Sequence, residues 1–224
     1  MALLAEDLLL LLLDDRRGST VVDSTSVDYA LAGSLLLELA LAGRIDVAGE
    51  GSSVKKGRLY ALDRDPVDDP LLDKVLSRIA VEQRKPESWV PKLAKGLRSD
   101  LLRRVEDAGA VRRQDDKVLG VFPRHRFPQA DGSGEAAVVE ELRRALEGQE
   151  PTQRAAALLA LLSAVDAVHK VVPGVDKKQA RKRAKAISED VWAASAVASA
   201  VRAVSAAVAG AVTASTTAAV ISST

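Results

Sequence analysis

Hydrophobic and polar positions alternate along this chain in a unit that occurs twice: an apolar helix, an Ala-Gly break, then a short β-hairpin. The first copy runs from Ser34 to Leu41, breaks at Ala42-Gly43, and continues as Arg44 to Ala48 paired with Arg58 to Leu62. The second runs from Asp100 to Asp107, breaks at Ala108-Gly109, and continues as Ala110 to Arg113 with Lys117 to Phe122. In each, glycine follows the last helical residue, where a left-handed capping position costs it nothing sterically. The turn of the second hairpin is read as Arg113 to Asp116.

Helical spacing accounts for most of the rest. Leu8 to Leu13 form a buried first helix, and Asp23, Ser24 or Ser26 caps the helix that ends at Gly43. Asp63 to Pro70 read as a loop, Leu71 to Glu82 as a helix, and Lys85 to Pro91 as a link holding Trp89. Pro123 and Pro128 close the second hairpin, and Gln129 to Gly134 form a loop. Three helices follow: an amphipathic one over residues 135 to 147, a mostly apolar one over 152 to 172 ended by Pro173-Gly174, and one from Asp176 that continues past Gly210. Val197, Val201, Val204, Val208 and Val212 give this last helix a narrow apolar stripe. The expected fold is mainly α, a single-domain helical bundle with small β-hairpins over residues 1–212, followed by a polar Ser/Thr-rich tail at 213–224 into which the last helix frays.

Charge narrows the function. The 224 residues hold 32 Lys+Arg against 31 Asp+Glu, so binding of an anionic partner has to come from local clusters. With no cysteine and two histidines, at positions 125 and 169, thiolate chemistry is absent and neither a metal site nor a Ser-His-Asp triad is expected. Phosphate-binding glycine loops and nucleophile elbows are missing too. The reading is of a non-enzymatic protein with no cofactor and no metal. The Leu8 to Leu13 run follows Glu6-Asp7 rather than a basic region, unlike a secretory leader. The uncharged segment 203–224 is Ala/Ser/Thr-rich, less apolar than a membrane helix. A cytoplasmic protein is expected.

Three clusters carry candidate chemistry. Lys92, Lys95 and Arg98 recur at helical spacing, so that Lys95 and Arg98 share a face of a helix whose N-terminus lies near Pro91, a plausible phosphate site or a solvated basic face. Lys177 to Lys185 hold six basic residues in nine, suited to an anionic surface or to solvent. Asp14-Asp15, Asp68-Asp69 and Asp115-Asp116 read as turn and cap residues, and Asp166 as a satisfied core acid. A helix followed by a hairpin is also the outline of a winged-helix DNA reader. The first copy has no polar face for bases, however, and the balanced charge counts against the second.

The segments LLAEDLLLLLLDDRRGS at the start, LLLELALAGRI from Leu35, RSDLLRRVEDAGAV from Arg98 and AALLALLSAVDAV from Ala156 resemble the Golgi phosphoprotein 3 family, in order and over residues 3 to 200. The composition, rich in Arg, Ala and Val, suggests a bacterial member. The resemblance implies a helical, non-enzymatic, peripheral membrane protein that recognises phosphatidylinositol 4-phosphate through a basic pocket with a Trp, beside a hydrophobic hairpin that dips into the bilayer. Aligned on Gly109, Lys95 and Arg98 fall on two basic residues of that pocket, with Arg112 and Arg113 as weaker helpers. Aligned on Gly43, Asp23 falls where the family has its Trp and Ala32 where it has another basic residue. The membrane-contact hairpin would use Val118, Leu119, Val121 and Phe122; because the charged turn Arg113 to Asp116 enters hydrocarbon at a cost, packing of these residues on the domain or on another subunit is the alternative, and the favoured one. The expected partners are anionic lipid head groups; protein partners, including a second copy of the chain, stay open, and an adaptor with a decayed lipid site is the alternative.

Overall fold

The computed structural model describes residues 2–14, 19–112, 114–118, 122–126, 133–190 and 198–221, with the backbone alone for 114–118, 122–126, 133, 188–190 and 219–221. The described chain is mainly α-helical, with three small two-stranded antiparallel sheets. In chain order the elements are α1 (Leu4–Leu12), β1 (Leu13–Asp14), β2 (Ser19–Thr20), α2 (Ser24–Leu41), β3 (Ile45–Val47), β4 (Leu59–Ala61), α3 (Pro70–Val81), α4 (Pro86–Ala94), α5 (Leu97–Asp107), β5 (Gln114–Val118), β6 (Phe122–Arg126), α6 (Ser133–Glu147), α7 (Gln153–Ala164), α8 (Val168–Val171), α9 (Lys177–Asp190) and α10 (Ala198–Ile221).

Helix α2 is the centre. It is apolar around nearly its whole circumference, as a helix surrounded by others must be, and α1, α4, α5, α7 and α10 pack on it. Its N-cap is Asp23, whose carboxylate accepts from the Ser26 N–H at 2.9 Å, and its end is Ala42-Gly43 with Gly43 at φ +67°. Gly33 lets α10 and α7 approach: a Cβ there would stand 2.5 Å from Val208 Cγ2 and 3.1 Å from Leu161 Cδ2. Val201, Val204 and Val208 are buried, as the apolar stripe implies; Val197 lies outside the described residues. Ala198–Ala218 has the length and composition to cross a membrane, but its first half is part of the core.

The first repeat forms as expected, with β3 paired to β4; in the second, the helix and its Ala-Gly end form as expected, but the paired strands are β5 and β6 rather than Ala110 to Arg113 and Lys117 to Phe122. Several expectations change. Lys85 to Pro91 is helix rather than link: Pro86 occupies the first position of α4, where proline needs no N–H partner. The helix expected over 152 to 172 is interrupted at Asp166, which takes φ +53°, a conformation Asp tolerates better than most residues. Asp166 is thus a half-exposed turn residue bonded to Lys177 at 2.6 Å, not a core acid. The segment from residue 213 does not fray at once, since α10 continues through Ile221. The change in the second hairpin bears on function.

Candidate anion-binding and membrane-contact site

Lys95 and Arg98 do not share a helix. Lys95 terminates α4 with extended ψ, and Gly96, at φ +78°, is the N-cap of α5. The spacing was helical, but Gly96 supplies the left-handed residue that lets two helices meet at an angle. Lys95 is exposed and has no ion-pair partner among the described residues. Gly96 has no side chain with which to cap α5, so the first N–H groups of that helix are left for solvent or an anion beside Lys95. The anion-favouring helix start therefore belongs to Gly96 rather than to the neighbourhood of Pro91, which lies inside α4.

Arg98, in the first turn of α5, is committed differently. Its Nε lies 3.2 Å from Asp28 Oδ1 of α2. Burial raises the Asp28 carboxyl above its ordinary value, and Arg98 only partly offsets this. Asp28 Oδ1 is shielded from solvent and accepts no hydrogen bond. The pair is thus a loosely satisfied latch across the helix junction. Nothing in the local sequence signals it, because its members are 70 positions apart and neither contact depends on periodicity.

The other basic residues near the junction are also engaged. Lys92 pairs with Glu82 and stands 5.4 Å from the centre of the Trp89 ring, with Arg78 at 5.6 Å. Trp89 is fully buried between these cations, so its indole holds α3 to α4 and is not presented to a ligand. On α5, Arg103 pairs with Asp100 at 2.6 Å, and Arg104 with Glu6 of α1 at 2.8 Å and with Asp69, the α3 N-cap, at 2.7 Å. All three arginines of α5 are therefore ion-paired, which counts against this helix reading DNA phosphates. Ala32 is buried inside α2 and Asp23 is spent as its cap.

Arg112 is exposed, immediately after buried Val111 anchors the chain leaving α5; Arg113 lies outside the described residues. The register of the hairpin that follows corrects the expected turn. Gln114 pairs with Arg126, Asp115 with His125, Asp116 with Arg124, Lys117 with Pro123 and Val118 with Phe122. Asp115 and Asp116 are strand positions, and the residues linking the last pair are Leu119, Gly120 and Val121. Leu119 and Val121 lie outside the described residues. The distal end of the hairpin is nonetheless the sequence Val118-Leu119-Gly120-Val121-Phe122, without a charge, and the acidic pair is set back from it. Gly120 lies outside the described residues as well; Gln114 to Asp116, polar and turn-like in sequence, belong to β5.

The family model described as Golgi phosphoprotein 3 (GPP34) matches residues 4–204. The chain belongs to the Golgi phosphoprotein 3 family. No curated protein matches it. Membership accounts for the order of the four motifs across α1, α2, α5 and α7. Of the pocket positions that the resemblance implied, Lys95 and Arg98 stand on either side of Gly96, whereas Ala32 is enclosed by the core. Among the described residues no group of three His, Asp or Glu side chains is arranged to hold a metal ion.

Proposed function

We propose that this Golgi phosphoprotein 3 family member is a non-enzymatic peripheral membrane protein that associates from the cytoplasmic side with anionic lipid head groups. The observation that carries the reading is the register of β5 and β6. It leaves an uncharged Val-Leu-Gly-Val-Phe end on a hairpin whose strands carry Lys117, Arg124 and Arg126. Apolar residues entering the interface beside cations held at head-group level is a physically consistent docking mode. Lys95 and the open start of α5 would take a lipid phosphate, with Arg98 joining once it leaves Asp28, and Arg112 and Arg113 adding long-range attraction. A phosphatidylinositol 4-phosphate head group suits this arrangement. With Ala32 buried and Asp23 in the remaining pocket positions, the preference over other anionic lipids is expected to be modest.

Flotation of the full chain with vesicles tests this. Phosphatidylglycerol or phosphatidylinositol 4-phosphate vesicles should carry the protein and neutral ones should not. Replacing Leu119 and Val121 by Asp should abolish flotation, and Lys95→Ala with Arg98→Ala should weaken it and flatten its salt dependence. Flotation indifferent to salt and to all four changes would refute the reading. The second reading, a protein-interaction adaptor whose lipid site has decayed, draws on the Asp28–Arg98 latch and buried Ala32; its mark would be a stoichiometric partner recovered from a membrane-free extract.

A further inference from the structure

Between the end of α3 and the start of α4, the segment Glu82 to Lys85 is fastened to the strand beside it. The Leu59 N–H donates to the Arg84 carbonyl at 2.8 Å, and Arg58 Nη1 to the Gln83 carbonyl at 2.7 Å. These bonds wall an open basin of about 550 Å³ lined by Arg58, Glu82, Gln83, Arg84, Lys85 and Ser88. Among the described residues Arg58 has no carboxylate partner, and neither Lys85 nor the Ser88 hydroxyl has a hydrogen-bond or ion-pair partner. Glu82 is the one acid in the lining, and it is already engaged: Lys92 and Arg84 both bond its Oε2, the latter at 2.8 Å. The Lys92 contact first, and Arg84 after it, hold the Glu82 carboxyl below its ordinary value. Two cations, Arg58 and Lys85, are therefore left without a counter-ion. Glu87, in the first turn of α4, borders a different hollow with Tyr29 and Pro91. Lys85 and Lys95 stand at opposite ends of α4, about 15 Å apart at 1.5 Å per residue, so the basin is separate from the start of α5.

We propose that this basin binds a singly phosphorylated sugar or polyol, its phosphate between Arg58 and Lys85 and its hydroxyls on Ser88, Gln83 and Glu82. Each part of the site selects one part of the ligand. Two uncompensated cations match the double charge of a phosphomonoester, and the Arg58 guanidinium keeps donors free for its oxygens. The Glu82 carboxylate repels a second phosphate, yet its Oε1 carries no bond and accepts from a hydroxyl. A bare phosphate would leave most of the basin and its polar groups in water. No aromatic ring lines it, so a nucleoside base finds no stacking surface. Lys85 and Ser88 are exposed, so their substitution tests the site without disturbing the core.

Titration calorimetry of the full chain with glucose 6-phosphate, in the absence of any bilayer, tests the proposal independently of vesicle docking. The ester should saturate at one per chain, inorganic phosphate should bind more weakly, and glucose should not bind. Lys85→Glu should weaken the ester about tenfold or more, as expected for losing one charge-assisted contact and gaining repulsion. Ser88→Asp puts a carboxylate into the basin at a first-turn position where an acid favours the helix. It should weaken binding while thermal unfolding stays at or above that of the parent. Inorganic phosphate or glucose binding as tightly as the ester, or an ester affinity unchanged by both substitutions, would overturn the proposal. Loss of binding on Lys95→Ala with Arg98→Ala instead would place the phosphate at the start of α5 and overturn it too.

Discussion

Replacing Asp28 by Asn should make the protein bind anionic membranes more tightly without loss of stability. In the parent, Arg98 is held 3.2 Å from Asp28, with the two side chains 32% and 29% exposed, a geometry for which ion pairs contribute about 0.2–1 kcal/mol. Asn retains the shape and removes the charge. Arg98 then becomes available to lipid phosphate, where a basic side chain contributes about 1 kcal/mol, and a nearby negative charge that repels the surface disappears. Together these amount to about 1–2 kcal/mol, or roughly a five- to thirtyfold gain in vesicle affinity at low salt. Stability should hold because burial disfavours the Asp28 carboxylate: its folded value lies above the ordinary 3.8, so the native state binds the proton more tightly. Asp28 therefore penalises folding most above its raised folded value and progressively less as pH falls through that value towards the unfolded one. The same protonation releases Arg98, so vesicle binding by the parent should rise on acidification, and by more than in Asp28→Asn. Flotation at stepped pH and salt, with thermal unfolding alongside, measures both. Equal affinities for parent and variant at low salt, together with identical pH responses, would refute the latch.

Other outcomes follow from the packing. Gly33→Ala should destabilise by about 1–2 kcal/mol, the overpacking against Val208 outweighing the gain in helix propensity, and in a Val208→Ala background the same change should become neutral or stabilising; urea unfolding of the double-mutant cycle decides it. Arg104→Ala should cost about 1–3 kcal/mol by unpairing Glu6 and Asp69, which link α1 to the start of α3, and Arg104→Lys should recover only part in chemical denaturation. Gly96→Ala should cost about 1–2 kcal/mol through its positive φ alone, as no atom stands within 4 Å of the added carbon, and should weaken flotation by shifting Lys95 relative to α5.

What was legible in the sequence was local. The Ala-Gly endings of α2 and α5 place Gly43 and Gly109 at positive φ, where a glycine after a periodic apolar run belongs, and the valine stripe of α10 faces the core. The sequence misleads where two local signals compete. Lys95 and Arg98 had helical spacing, yet Gly96 between them carried the stronger conformational preference. In the hairpin, polar Gln114 to Asp116 resemble a turn, whereas the register places them in a strand. Contacts between distant segments left no local trace: the Asp28–Arg98 latch and the Arg104 cluster each require the helices to be assembled first.

The proposed contact of the hairpin end with the bilayer is tested most directly by a probe placed at that end. The chain contains no cysteine, so Gly120→Cys provides a single attachment point for an environment-sensitive fluorophore. A blue shift and protection from aqueous quenchers are expected with anionic vesicles, both lost with neutral vesicles. A probe that stays fully quenchable while the protein floats with anionic vesicles would contradict that contact.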